Sequence, residues 1–312
     1  MIGYLKRISL FFSIFLILSC FVDCNINVNA MIPKVKVQKD IKMQELDSLG
    51  IKMNKYIYDC SSEEIEKRFK QMSLDRWKIY FKNAEDYYKK DGFGIYRDEY
   101  KTPESWQHWQ SRYPYPMAFE YNLAYEDYDA NIITFENNNF LAIEAPSSKN
   151  IKNFYNLINN YDIDCFVKLN ALDEYGEDYY PYWENDFNTD RGKIKIGRQS
   201  LNFFSYDWPH RKGLDEKNLL DLVKRVQNTY NGKDIMAVSC RAGAGRTGTF
   251  IAAYMIIDEI DKQIKRGVLP NNIDVNIDRV VWGVSIQRPF AITHNLQYET
   301  LYRLIDFYLY GE

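Results

Sequence analysis

The sequence predicts an α/β domain with helices packed on a sheet, and three observations lead there. From residue 131 onward, short apolar runs of strand length alternate with amphipathic stretches of helix length. Neither an internal repeat nor a low-complexity tract interrupts the alternation. Near residue 240 a buried-strand pattern runs directly into a Gly-rich loop and then into a helical pattern. Composition agrees: the 312 residues are 46% hydrophobic and 27% charged, the balance of a globular chain and not of a disordered one. Aromatic residues make up 16%, including 26 Tyr, enough to fill a large core. Length fits two ordinary domains or one large α/β domain. The net charge of −3 gives no basic field for a nucleic-acid partner. Collagen, coiled coil, disulfide-stapled mini-protein and multispan membrane protein are excluded by the same composition.

In chain order, Lys6 and Arg7 precede an apolar run from Ile8 to Leu18, broken only by Ser9 and Ser13. That run is too short to span a bilayer and suits the core of a secretory signal. Val28-Asn29-Ala30 places cleavage after Ala30. The expectation is a signal peptide over residues 1–30 and a secreted or periplasmic protein with no stable membrane span in its mature form. Ile17-Leu18-Ser19-Cys20 also loosely resembles a lipoprotein box with Cys20 as the lipidated residue, and an uncleaved anchor is a third reading. Of the cysteines that then remain, Cys60, Cys165 and Cys240 form neither a disulfide framework nor a metal-like spacing. Cys165, in an apolar run, reads as a buried strand residue.

Residues 31–115 read as an N-terminal helical extension. Ser61-x-x-Glu64 is a capping-box pattern, and Ile65, Phe69, Met72, Trp77, Ile79 and Tyr80 follow a helical stripe that ends near Asp91-Gly92. Residues 91–130 are aromatic and irregular, with Pro103, Pro114 and Pro116. Strands follow at Ile132–Phe135, Phe140–Ala145 and Ile163–Leu169, with a helix at Asn150–Asn160 between the last two. Lys193–Ser205 reads as one or two strands and Leu214–Tyr230 as a helix, with Asp215 as its N-cap. The strand Ile235–Ser239 and the helix Thr247–Ile260 come next, then helices at 273–284 and 294–309.

The chemistry is concentrated in Ser239-Cys240-Arg241-Ala242-Gly243-Ala244-Gly245-Arg246-Thr247-Gly248. A buried strand delivers Cys240 to a turn, and Gly243 and Gly245 let the backbone curl without Cβ clashes. The amides of Arg241, Ala242, Gly243, Ala244, Gly245 and Arg246 then form a nest for a tetrahedral anion, reinforced by the N-terminus of the next helix. The Arg246 guanidinium can fork onto phosphate oxygens. The same positive setting lowers the Cys240 pKa, so a thiolate lies beneath a bound phosphate as an in-line nucleophile. Thr247 can hydrogen-bond the sulfur and help it leave.

This run resembles the phosphate loop of the Cys-based protein tyrosine phosphatase superfamily, Cys-x5-Arg-(Ser/Thr), continued here as Thr247-Gly248-Thr249-Phe250. Other pieces resemble its tyrosine-specific branch in order. Tyr128-Asp129-Ala130-Asn131-Ile132 looks like its Tyr-Ile-Asn-Ala strand, and Phe140–Pro146 is similar to its Ile-x-Thr-Gln-Gly-Pro. Tyr182-Trp183 looks like its Tyr-Trp-Pro, and Trp208-Pro209 like its mobile acid loop. Gln287-Arg288-Pro289 with Gln297-Tyr298 resembles its glutamine loop. The resemblance implies a phosphatase-like central mixed sheet flanked by helices, a catalytic domain over residues 116–312, and phosphoryl transfer without a metal or cofactor.

The chain departs from the pattern at four places. Ser239 replaces the usual His before the nucleophile. His210 replaces the Asp after Trp-Pro, so the general acid is Asp207, His210 or Asp215. Thr293 stands at the water-positioning Gln of the glutamine loop, while Gln297 matches the later Gln; Gln297 either orients the hydrolytic water or is a helix-surface amide. The Asn-Arg-Tyr loop that walls the phosphotyrosine pocket has no match, and Tyr121, Tyr125 or Tyr128 are candidate walls. Three functions follow. One is an exported phosphatase acting on phosphotyrosine proteins through a phosphocysteine intermediate. The second is the same chemistry on an inositol phosphate or phosphoinositide, favoured by Arg241, Arg211 and Lys212. The third is a pseudophosphatase that binds phosphorylated ligands with little turnover. The sequence does not fix an oligomeric state.

Overall fold

The computed structural model describes residues 55–85, 123–125, 128–136, 138–170, 180, 182, 191–209, 212–230, 232 and 234–311. The expected signal at 1–30, residues 91–122, Trp183, His210 and Arg211 lie outside the described residues, and the end of the stretch read as irregular over 91–130 is strand, at Leu123–Tyr125 and from Tyr128 onward.

Seven strands form one sheet: β1 (Leu123–Tyr125), β2 (Tyr128–Phe135), β3 (Asn138–Glu144), β4 (Ile163–Lys168), β5 (Arg191–Ile196), β6 (Gln199–Ser205) and β7 (Ile235–Cys240). Their order is β1-β2-β3-β7-β4-β6-β5. The inner pairs β3/β7, β7/β4 and β4/β6 are parallel, and the outer pairs β1/β2, β2/β3 and β5/β6 are antiparallel. This is the expected mixed sheet. β7 lies at its centre with parallel neighbours on both sides, so all of its residues are buried. Lys193–Ser205 resolves into two strands because Gly197 turns the chain at φ +58.

The helices are α1 (Ser62–Glu85), α2 (Ile151–Asn159), α3 (Glu216–Gln227), α4 (Gly245–Lys265), α5 (Ile277–Ser285) and α6 (Asn295–Tyr310). They cover both faces of the sheet. Alternate strand residues divide between two cores, as strand geometry requires. Phe140, Cys165 and Val238 join α3 to α6 on one face, while Leu141, Phe166 and Ala237 join Phe154, Leu157 and Ile158 of α2 on the other. Cys165 is fully buried, and that burial pushes its thiol pKa up.

The helix α1 begins as its capping pattern predicts, with Glu64 N donating to Ser61 Oγ at 3.3 Å. Its Ile65 and Met72 enter the same core as α6, and the Phe69 ring lies 5.8 Å from that of Tyr298. Ser62 Oγ donates to Glu299 at 2.5 Å and Arg68 to the Tyr302 hydroxyl at 3.1 Å. The helix α4 starts two residues earlier than its sequence pattern predicts, so Gly245 and Arg246 belong to its first turn.

Candidate active site

The parallel strands end together on one edge, where open α/β sheets bind ligands. Cys240 closes β7 there, and Arg241–Ala244 turn the chain into α4. The turn is pinned to the neighbouring strand: Ala145 N donates to Cys240 O at 3.0 Å, and Gly243 N closes back on the same carbonyl at 3.2 Å. Gly243 has φ +61, and a Cβ there would overlap the Ile143 carbonyl and the Glu144 nitrogen. Only glycine fits this close crossing. Gly245 and Gly248 serve packing instead. A Cβ on Gly245 would come within 2.7 Å of Thr293 Oγ1, and one on Gly248 within 2.6 Å of the Ala291 Cβ.

Beneath the loop lies Arg288, fully buried. Its Nε donates to Gly243 O at 2.9 Å and its Nη2 to Ala242 O at 2.8 Å. Its Nη1 reaches Asp129 Oδ1 at 2.7 Å and Asn131 Oδ1 at 3.0 Å. Two loop carbonyls are thereby drawn to the outer side, which leaves loop amides for the concave side where an anion would sit.

Cys240 is 2% exposed, and burial alone would raise its pKa. The Arg246 charge, the Thr247 hydroxyl and the amides of Thr247 and Ala244 outweigh that burial, and the net shift is downward. On either side of Cys240 in the chain, Ser239 Oγ and Arg241 Nε are buried without a protein hydrogen-bond partner. Arg246 is itself buried, and its Nη1 donates to the Trp208 carbonyl at 2.7 Å. That bond ties the loop arginine to the segment expected to carry the general acid. Trp208 is fully buried and anchors the loop further, its Nε1 donating to Lys212 O at 3.0 Å.

Residues 196–306 match the family model for protein-tyrosine phosphatase. The matched stretch, under half of the chain, holds the Cys240–Thr247 loop, so the comparison falls on the same segment as the resemblance read from the sequence. Mouse receptor-type tyrosine-protein phosphatase alpha is 24% identical over 204 residues, covering 56% of this chain and 23% of that protein. Tyrosine-protein phosphatase 1 of Schizosaccharomyces pombe is 26% identical over 214 residues, 57% of this chain and 38% of that one. The chain thus spans well under half the length of these curated relatives. In fold it is similar to the Trypanosoma cruzi protein tyrosine phosphatase TcPTP1, with a TM-score of 0.51, 21% identity and coverage of 62% of this chain and 79% of the other.

Around the Cys240–Thr247 loop the remaining candidates fall into place unevenly. Asp207 stands next to Trp208 with a largely exposed carboxylate, 3.7 Å from the buried Lys168 Nζ. Lys168 ends β4, in register with Ser239, and also donates to Asn170 O. Asp215 is engaged elsewhere, accepting from Asn218 N at 3.0 Å as the N-cap of α3. Gln297 is not a surface amide: it is 1% exposed, and its Oε1 accepts from Thr293 N at 3.0 Å. A Cβ on Gly245 would lie 3.1 and 3.2 Å from its two amide atoms, which places the amide directly against the phosphate loop. Gln287 is a bracket between β2 and α5, bonded to both backbone groups of Thr134 and to Gly283 O. Tyr128 does not wall a pocket; its hydroxyl donates to Glu144 O and its ring packs on Phe154. Tyr121 lies outside the described residues.

Sequence reasoning passed over Asp129, Asn131 and Lys168. Their signal was present as polar residues inside runs that otherwise read as fully buried strand.

Proposed function

We propose that the protein hydrolyses phosphotyrosine in proteins through a phosphocysteine intermediate. The observation that carries this reading is the Cys240 thiol, shifted toward its ionised form by Arg246, Thr247 and loop amides although it is buried. A buried thiol that a guanidinium and hydrogen bonds push toward ionisation is the setting of a nucleophile. In the first step the Cys240 sulfur attacks phosphorus, the bond from phosphorus to the tyrosyl oxygen breaks, and Asp207 gives its proton to the departing phenolate. Arg246 and the loop amides hold the equatorial oxygens as charge redistributes. In the second step water held by Gln297 attacks phosphorus, its proton passes to the Asp207 carboxylate, and the S–P bond breaks. Thr247 stabilises the thiolate that leaves.

A second reading is supported by Arg241, the residue after the nucleophile, whose Nε is buried without a protein partner. In it the same loop acts on a phosphorylated small molecule with further phosphates, such as an inositol phosphate. Export is also part of the proposal, supported by Lys6, Arg7 and the Ile8–Leu18 run. Among the described residues, no helix is long and apolar enough to cross a membrane.

The test is phosphate release from a phosphotyrosine peptide by the full chain, with Cys240→Ser alongside and inositol hexakisphosphate as a second substrate. Release from the peptide that vanishes with Cys240→Ser is the expected result. Thiol-dependent release from the inositol phosphate alone would move the assignment to the second reading, and no release from folded protein would remove both.

A further inference from the structure

The helix α1 lies outside the matched residues 196–306, yet one of its side chains reaches the segment that carries the water-orienting groups. Arg76 is 5% exposed. Its Nη1 donates to Ala291 O at 2.7 Å, to Ile292 O at 3.2 Å and to Ser285 Oγ at 3.2 Å, while Nη2 lies 3.4 Å from Ser73 Oγ. Its guanidinium carbon sits 5.5 Å from the centre of the Phe69 ring.

The segment that Arg76 grips is strained. Phe290 has φ +58 and Ile292 φ +54, the left-handed region that a β-branched residue strongly avoids. Such a conformation persists only where its surroundings enforce it. Here the consequence of that backbone is specific. It turns the carbonyls of Ala291 and Ile292 toward Arg76, sets Ala291 against Gly248, and aims the Thr293 amide at Gln297 Oε1. With its oxygen held by Thr293, the Gln297 amide is fixed in orientation against Gly245.

We propose that Arg76 is a positioning residue for the hydrolysis of the phosphocysteine: it holds the strained 290–292 backbone, and through it Thr293 and Gln297, in the geometry that orients the attacking water. The inference rests on the role given to Gln297 above. Arg76 touches neither the thiol nor the phosphate site, so the first step, from free substrate to phosphorylated Cys240, does not depend on it.

The test uses the full chain with Arg76→Met and Arg76→Lys. Because kcat/KM reports the path only to the first phosphoryl transfer, Arg76→Met lowers kcat about tenfold with kcat/KM unchanged. A pre-steady-state burst of phenol then appears, phosphocysteine accumulates, and Arg76→Lys recovers part of kcat. Amide hydrogen exchange of the free protein supplies a readout independent of turnover. In Arg76→Met, exchange rises across residues 290–297 and stays unchanged across 235–246. Parallel loss of kcat and kcat/KM, or no change in either, overturns the proposal. So does unchanged exchange at 290–297, which decides the matter even if the wild-type protein releases no phosphate and the functional reading itself fails. If Arg76→Met does not fold, the same kinetic split and local exchange are read from Arg76→Lys, and their absence there overturns the proposal.

Discussion

Arg288 and Asp129 form an ion pair 2.7 Å long in which both side chains are completely buried, directly beneath the phosphate loop. Desolvating either charge costs several kcal/mol, so the pair is stable only because each member has the other and hydrogen bonds besides. Asn131, Gly243 O and Ala242 O complete the set around Arg288. The loop that would bind phosphate therefore takes part of its shape from β2, which four intervening strands separate in sequence from β7 and Cys240.

Asp129→Ala leaves the Arg288 guanidinium buried without its counter-charge, and a loss of about 3–5 kcal/mol in unfolding free energy is expected by urea denaturation. The double variant Asp129→Leu with Arg288→Met removes both charges and recovers most of that stability. It does not recover phosphatase activity, because the carbonyls of Ala242 and Gly243 lose the donor that turns them outward.

The lowered Cys240 pKa has a sign that alkylation can read. A depressed pKa keeps the thiolate populated below the ordinary thiol range, and reactivity toward iodoacetamide falls only as pH drops through the lowered value. Arg246→Met removes the largest contribution favouring ionisation while burial still opposes it, so the inflection moves to higher pH. Thr247→Val moves it the same way by less. An inflection that stays put in Arg246→Met would mean that the loop amides alone hold the thiolate.

At Gly243 two penalties coincide, a φ of +61 and a Cβ that would overlap the β3 backbone at Ile143. Gly243→Ala is expected to cost more than about 1 kcal/mol of stability, the usual size of the conformational term alone. Because the loop must lift off β3 to relieve the clash, turnover falls by far more than the stability loss implies. Thermal unfolding and steady-state kinetics on the same preparation separate the two effects.

The centre of the sheet and the loop were legible in sequence because their signals are local. β7 is an apolar run broken only by Ser239, and Cys240, Gly243, Gly245 and Arg246 stand within seven residues of one another. The supports were not legible. Arg288 and Asp129 are 159 positions apart and meet only through the sheet. Lys168 hides at the end of a run, Cys165-Phe166-Val167, that announces a buried strand and says nothing of a buried charge. Arg76 looks like any helical arginine until Ala291 and Ile292 are brought to it. At the early start of α4, likewise, Gly245 meets Thr293 and Gln297, which leave no room for a Cβ and lie some fifty positions away in sequence.

The general acid is tested through the leaving group. A tyrosyl phenolate, with a pKa of about 10, needs a proton as the P–O bond breaks, whereas an activated aryl phosphate loses a stable anion unaided. Asp207→Asn is thus expected to slow phosphotyrosine turnover by about 100-fold or more and to slow the activated ester much less. Arg246 holds the carbonyl of the next residue, Trp208, so the acid loop is already drawn to the phosphate loop and Asp207 has only to turn its exposed carboxylate inward from Lys168. Lys168→Met removes that competing partner and should leave the dependence on the leaving group intact. His210→Asn provides the control: it changes both substrates alike if Asp207 is the donor. A loss with His210→Asn that grows with leaving-group basicity would transfer the role to the imidazole.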